Sequence, residues 1–531
     1  MWKPKASWKD IVGMILLAAG VVMLGVSVFL CFSSDIWYDE LFTMGLASQP
    51  LGELISITAR DVHPPLYYMI VRLFLLTGEA LFGSIDQVVA AKLVSVLPFL
   101  LCMLYSVTKV KKHFGMLSAG LFFFLLLTMP QMAGYTVEVR MYGYAVLFIL
   151  AGMLHAYELT DENTVGKKKV CNWVTVTLYA LAACYTHYFA CVAACMIYVY
   201  LLADAVRRHK VRETIRPFLI SGGICAAGYL PWLLTVVTAQ VAAVKDNYWI
   251  MPLSVRTLAG CVKFLFYPAL GNEMLGNIAA VLLFVLYGGM FLFFCLQSFR
   301  KGQQEEKRTA MFCIGCVGVL AGIVVFGFAA SILIRPIFVY RYMLPAMGVF
   351  WLAFAVVISK IKWKRPVCIL GLIVLAAVGI RNYRSFYGEE MWKRVQMKQT
   401  EAALSQIGQE DLIVCNFDQT QAVVSYYLSN DSYLWYGNPE ELIRLMYPVN
   451  HSLVEGEFDD REGIKRMKEL LDTGRKVWFL GSGASRDEII AKWTGEGIEA
   501  EEAGSVMLER YWFNIYRIKN ISDIDDRDKK R

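Results

Sequence analysis

Residues 11–40 read IVGMILLAAGVVMLGVSVFLCFSSDIWYDE, and this stretch decides the fold class. From Ile11 to Phe32 it is apolar and carries no charge. A helix of that length crosses the hydrocarbon core of a bilayer, which takes about 20 residues. The end of the stretch, Asp35-Ile36-Trp37-Tyr38-Asp39-Glu40, sets two adjacent carboxylates at the rim of that first span. A second polar segment follows, Arg60-Asp61-Val62-His63-Pro64-Pro65-Leu66-Tyr67-Tyr68. Carboxylates at a membrane rim, followed by a proline-locked turn, point to a reactive site facing the membrane surface.

Composition agrees with a chain that lies largely in lipid. Hydrophobic residues make up 57% and charged residues 18%, against about 25% charged in soluble domains. The net charge of +7 is mild, and its basic residues fall in short loops between apolar runs. That pattern is a topology signal and excludes a nucleic-acid footprint. Most of the 13 cysteines lie within apolar runs, among them Cys184, Cys191, Cys195, Cys313 and Cys316, and none has zinc-ligand spacing in a polar loop. Cys415 alone falls in the polar C-terminal part, so no disulfide framework is expected there. The first apolar run is too long for a cleavable signal peptide and lacks a small-residue cleavage site.

Apolar runs at 11–33, 86–108, 114–131, 142–158, 172–185, 188–205, 217–238, 277–298, 309–333, 343–359 and 366–380 predict about eleven spans. Lys3, Lys5 and Lys9, then Lys109 to Lys112, Lys167 to Lys169, Arg207 to Lys210, Arg300-Lys301 and Lys360 to Arg365 all fall on one side of that count. By the positive-inside rule that side is cytoplasmic. The segment from Ser34 to Asp86 falls on the other side, with seven acids against Arg60 and Arg72. Its apolar stretch Leu66 to Leu76, interrupted by Arg72, reads as a helix lying in the interface. No internal repeat stands out, which disfavours inverted-repeat transporter folds.

After Ile380 the hydropathy falls. Asp411 to Cys415, Lys476 to Gly481 and Tyr511 to Ile518 read as strands, and Ile464 to Leu471 and Asp487 to Trp493 as amphipathic helices. This is α/β character in about 150 residues, enough for one small domain. Starting from the cytoplasm, eleven spans place it outside. The tail Asp523 to Arg531 reads as frayed.

Five segments fall on the external face under this one topology. Asp39-Glu40 reads as a solvated helix start, where acids are favoured, or as a general base with a hydrogen-bonding or metal-binding neighbour. His63-Pro64-Pro65 is a re-entry turn, or it presents His63 to a phosphate. Glu138-Val139-Arg140-Met141-Tyr142 is an interfacial ion-pair anchor, or it offers a guanidinium clamp for a phosphate oxygen. Tyr185-Thr186-His187-Tyr188 is a tight turn between two spans, and His187 either ends there or lines the same cavity. Arg341, between Tyr340 and Tyr342, fits both an interfacial anchor and an anion site. Taken together, two carboxylates with arginines and histidines suit a site that joins a phosphate leaving group to a base-activated hydroxyl.

These residues resemble the GT-C glycosyltransferases, in the branch of protein O-mannosyltransferases and bacterial aminoarabinose-type lipid A transferases. The resemblance rests on Tyr38-Asp39-Glu40 after the first span, Asp61-Val62-His63-Pro64-Pro65-Leu66, Glu138-x-Arg140-x-Tyr142, Thr186-His187-Tyr188, and Arg341-Tyr342 with Pro345. The Asp-Val-His-Pro-Pro-Leu run is the most specific, and the order holds through residue 380. The resemblance implies a polytopic all-α membrane protein of GT-C type (residues 1–380, with interfacial helices in the external loop 34–85) and a C-terminal extracytoplasmic α/β domain (381–531). It implies transfer of a sugar from a polyprenyl-phosphate donor to a lipid, glycan or protein acceptor outside the cytoplasm, with inversion. Asp39 would then be the base and Glu40 its partner in the acceptor site. His63 and Arg140 would contact the donor phosphate, with Arg341 beside them, and His187 would line the cavity. Asp61, Glu138, Tyr142, Tyr188 and Tyr342 complete the substrate-binding set. Two departures stand out: Val62 where the lipid A transferases have a carboxylate, and His63 where they have lysine. No cofactor is expected; some GT-C relatives need a divalent metal, so that alternative stays open. The rival readings are a lipid-linked glycan transporter or flippase and a wall-glycan polymerase.

Overall fold

The computed structural model describes residues 7–33, 36–130, 132–237, 240, 250–362, 364–417, 433–436, 453–508 and 511–520. Lys3, Lys5, Ser34, Asp35 and the tail 521–531 lie outside the described residues. The chain divides into two compact units. The first comprises residues 1–32 and 51–388, the second residues 33–50 and 389–531.

The first unit is helical. Nine helices among the described residues are long and apolar enough to cross a membrane: α1 (Trp8–Leu30), α5 (Gln87–Phe114), α7 (Tyr142–Leu159), α9 (Tyr188–Arg207), α10 (Val211–Val237), α12 (Glu273–Lys301), α13 (Gln304–Leu333), α14 (Tyr340–Lys360) and α15 (Arg365–Leu404). The other two expected spans are helices as well. One is α6 (Met116–Thr128), whose 13 residues reach only about 20 Å. The other is α8 (Gly166–Cys184), which opens on three lysines that dilute its apolar content. The chain is a multi-pass membrane protein in which these two pack among longer helices. Every residue of α6 is buried.

Local chemistry fixes the starts of these helices. α1 begins with a capping box, in which Ser7 Oγ accepts from Asp10 N–H at 3.2 Å and Asp10 Oδ2 accepts from Ser7 N–H at 3.1 Å. α1 and α6 then cross at glycines. A Cβ on Gly120 would meet the Gly13 carbonyl oxygen at 1.8 Å, so only glycine permits this approach.

Three more helices flank the spans. α3 (Leu51–Thr58) and α4 (Leu66–Phe82) follow the first span, and α11 (Val255–Phe266) precedes α12. Pro64-Pro65 leads into α4, where fixed φ suits a helix entrance. One stripe of α4 buries Tyr67, Tyr68, Val71 and Leu75, while Leu73, Phe74, Leu76, Leu81 and Phe82 stay exposed. That one-sided burial fits a helix lying at the membrane interface. α11 has the same character, and the apolar-run reading passed over it.

Contacts sort the helix ends into two groups. At one end, Glu158 of α7 pairs with Lys109 at 2.8 Å and His113 at 3.0 Å of α5. Arg308 at the start of α13 donates to Thr160 Oγ1 at 3.1 Å and to Glu305 at 2.8 Å, and lies 4.0 Å over the Tyr157 ring. Lys9 donates to the Ser359 carbonyl at 2.7 Å. At the other end, the Leu66 amide donates to the Tyr185 carbonyl at 3.0 Å, and Asn382 donates to the Thr128 carbonyl at 3.0 Å. The segments 51–86, 129–141, 185–187 and 334–346 therefore share the second end, as the span count required.

The second unit holds α2 (Tyr38–Ser48) and an α/β domain. Six strands run in the order β3-β2-β1-β4-β6-β5: β1 Leu412–Cys415, β2 Tyr433–Tyr436, β3 Leu453–Glu455, β4 Val477–Gly481, β5 Ile498–Leu508 and β6 Tyr511–Asn520. β3, β2, β1 and β4 are parallel, while β6 and β5 add antiparallel edges. Helices α16 (Arg461–Asp472) and α17 (Gly483–Gly495) supply Ile464, Met467, Ile489 and Trp493 to a core with Leu412, Val414, Val477 and Phe479. The strand at 411–415, the strand at 476–481 and both amphipathic helices fall where the sequence placed them. α15 runs unbroken past Ile380 to Leu404 and carries the chain from one unit into the next.

Candidate active site

The first unit alone brings together four of the five segments singled out by the sequence. α3 ends at Thr58, and the turn before α4 sets His63 Nδ1 3.3 Å from Asp61 Oδ2. Asp61, which the resemblance placed in the substrate-binding set, thus orients His63. The turn between α8 and α9 presents His187, whose ring lies 5.9 Å from that of His63, 5.5 Å from Tyr142 and 5.2 Å from Tyr342. Tyr342 in turn stacks on Phe189 at 4.6 Å. The stretch 129–141 between α6 and α7 delivers Tyr135, whose ring meets Tyr142 edge-on at 5.0 Å, and Arg140, which is buried.

His187 is the centre of this cluster. It caps α9, with Nδ1 accepting from the Phe189 amide at 3.1 Å. Nδ1 is therefore unprotonated, and the ring proton of the neutral form sits on Nε2. Burial first, then the neighbouring His63, Arg140 and Arg341, hold its pKa well below the ordinary value. Nε2–H is thus a neutral hydrogen-bond donor in a cationic setting. Tyr135 is held protonated, chiefly by burial and next by the Glu138 carboxylate. These interactions place Glu138, Arg140 and Arg341 in one neighbourhood with His187 and Tyr142.

The linkage has a sign. The unfolded chain binds a proton at His187 near pH 6.5, while the folded chain binds it only at lower pH. Stability is complete above that value and falls as pH drops below it, by about 1.4 kcal/mol per pH unit until the folded form titrates. Thermal melts from pH 7.5 to 5 should therefore show a decline in Tm that is smaller in His187→Asn, since Asn keeps the cap and cannot be protonated. Equal declines in the two proteins would mean that other groups cause it.

A clasp beneath the site escaped the sequence reading. Gln240 donates from Nε2 to the Thr58 and Ala59 carbonyls at 3.1 and 3.2 Å, and accepts from Tyr188 Oη at 2.6 Å. Trp232 Nε1 donates to Tyr188 Oη at 3.3 Å. Tyr188 thus holds the segment leading to Asp61 and His63 in place. Nothing in a lone glutamine signals this, because its partners lie far away in sequence. Lys92, buried in α5, donates to the Val137 carbonyl at 3.4 Å and steadies the stretch bearing Glu138 and Arg140.

Asp39 and Glu40 belong to the second unit. Both lie in the first turn of α2. Glu40 is buried and its carboxylate accepts from the Trp37 amide at 3.0 Å, closing the helix N-terminus. Asp39 is half-buried, and its backbone carbonyl accepts from Thr43 Oγ1 at 3.1 Å. The adjacent carboxylates thus differ: one closes the cap, while the other sits at the partly open helix start.

No family model matches the chain, and no curated protein matches it in sequence. Solved structures do match in fold. ArnT from Cupriavidus metallidurans in the apo state is 12% identical with a TM-score of 0.57, over 96% of this chain and 98% of ArnT. The same protein bound to undecaprenyl phosphate is 13% identical with a TM-score of 0.58, over 95% and 97%. The chain therefore has the GT-C fold that its motifs suggested, over nearly its whole length.

Proposed function

We propose that this chain is a membrane glycosyltransferase that moves a sugar from a polyprenyl-phosphate donor to an acceptor hydroxyl at the outer face of the membrane. The observation that carries this reading is the cluster of His63, Arg140, His187 and Arg341 at one end of the helical unit. Two guanidinium groups and a neutral ring N–H suit a phosphate that gains charge as it leaves. ArnT, which shares the fold, was crystallised with undecaprenyl phosphate, and this supports a polyprenyl phosphate as the donor's carrier.

In this mechanism Asp39 accepts the proton of the acceptor hydroxyl while its oxygen attacks the anomeric carbon. The bond from that carbon to the phosphate oxygen breaks, and the configuration inverts. Polyprenyl phosphate departs against Arg140 and Arg341. His187 donates from Nε2, and His63, held by Asp61, faces the same group. Glu40 serves the reaction indirectly by fixing the start of α2. The acceptor is a lipid, a glycan or a protein.

The test uses the purified full chain in nanodiscs with radiolabelled lipid-linked sugars. Release of polyprenyl phosphate together with label in a second product supports the reading. In sealed vesicles, label that crosses the bilayer with its phosphate bond intact would replace it with transport.

A further inference from the structure

Two tyrosines bracket His187, and both tie its turn to α10 and the residues just beyond it. Tyr185 Oη donates to the Gly228 carbonyl at 2.7 Å, and its ring meets those of Tyr229 and Trp232 edge-on at 5.3 and 6.1 Å. On the other side, Tyr188 Oη donates to Gln240 Oε1 at 2.6 Å and accepts from Trp232 Nε1 at 3.3 Å. Trp232 and Gln240 reach that one hydroxyl from either side of the stretch Leu233–Val237, which winds as a π-helix. Widened turns of this kind inside a helix recur at functional sites. All of these residues belong to the first unit.

The same glutamine holds the segment that bears the other imidazole. The last carbonyls of a helix find no partner within it, and at the end of α3 these include Thr58, followed by Ala59. Gln240 Nε2 donates to both, at 3.1 and 3.2 Å. Ala59 stands two residues before Asp61 and four before His63. At the far end of that segment the Leu66 amide donates to the Tyr185 carbonyl at 3.0 Å. The stretch 59–66 is therefore pinned at both ends, and both pins lead to the turn that carries His187. Gln240 is buried, and both N–H groups of its amide are engaged, so it has no donor left for a substrate.

We propose that Gln240 and Tyr188 are a positioning pair for sugar transfer, an inference that rests on the transferase reading given above. They touch no substrate. They hold His63 at its distance from His187, whose ring lies 5.9 Å away, so that both imidazoles face the departing phosphate at once. Tyr188, which the resemblance placed among the substrate-binding residues, acts through Gln240 instead. Misplacement of a reacting group by about 1 Å costs about 10²-fold in rate, even when its cause lies far from the chemistry. Donor affinity rests on Arg140 and Arg341, which the pair does not hold.

Gln240→Met keeps the length of the side chain and removes its hydrogen bonds to Thr58, Ala59 and Tyr188. Tyr188→Phe removes one hydroxyl and keeps the ring. Transfer from a radiolabelled polyprenyl-phosphate sugar is measured with the full chain in nanodiscs, and undecaprenyl phosphate binding is followed alongside by native mass spectrometry. Each variant should lose about tenfold in kcat, with KM for the donor and affinity for undecaprenyl phosphate within about twofold of wild type. The decisive comparison is made in a His63→Asn protein. There Gln240→Met should change kcat by less than about twofold, because the group it positions is gone, whereas independent contributions would multiply. A tenfold loss that persists in His63→Asn, a rise in KM with kcat unchanged, or wild-type kinetics would overturn the proposal. Should Gln240→Met fail to fold, Tyr188→Phe with and without His63→Asn carries the same comparison. A wild type that transfers no sugar removes the reaction itself. A wild type that transfers sugar and is matched by both variants removes only the positioning pair.

Discussion

Asp39→Asn should abolish sugar transfer while leaving the fold intact. The substitution keeps the shape of the side chain and removes its basicity. A positioned general base contributes on the order of 10²–10⁴ in rate, so kcat should drop by that factor with little change in donor affinity. Glu40 is less suited to the role, because it is buried and its carboxylate closes the start of α2 through the Trp37 amide. Asp61 is paired with His63. Sugar transfer and Tm are measured side by side on both proteins. Full activity in a folded Asp39→Asn would remove Asp39 from the mechanism, and the base would then have to be sought elsewhere.

Arg140→Gln should produce the second-largest loss. Arg140 is buried at the end of the segment before α7, beside His187 and Tyr142. Removal of one group that stabilises developing charge costs on the order of 10²–10³ in kcat. Arg140→Lys keeps the charge and loses the planar fork, so it should recover only part of that loss. The two roles weighed for this residue separate cleanly. An anion clamp lowers transfer and weakens polyprenyl phosphate binding at constant Tm. A structural anchor lowers Tm and leaves the affinity of the folded fraction alone.

Much of the helical unit was legible because lipid imposes a strong rule: a span must be long and apolar. The rule weakens where a helix is shielded by protein. α6 is too short to span alone and α8 opens on lysines, yet both were marked by their apolar runs. The candidate site was legible in its residue types and in the parity of its loops, since every second turn returns to the same face. Its internal wiring was not. Gln240 reaches back to Thr58 and Ala59, and long-range contacts of one side chain leave no local pattern. The capping role of Glu40 was hidden for another reason. The usual signature places serine or threonine three residues before the glutamate, and here that position is Trp37. α11 was missed because an amphipathic helix of 12 residues lacks the uniform hydropathy by which spans are found.

The pairing of Glu158 with Lys109 and His113 bears on how the chain is made. α7 carries that carboxylate, is the least apolar of the nine candidate spans, and has 89% of its apolar window buried. α1 is far more apolar, with 33% buried. A segment like α1 can partition from the translocation machinery into lipid on its own. α7 has little to gain from lipid until α5 supplies cations and neighbours cover its sides. α5 precedes α7 in the chain, so those cations are already in place when α7 emerges. Biogenesis of this protein is therefore expected to be sequential, with α7 retained beside earlier segments or an insertase until its counter-charges close.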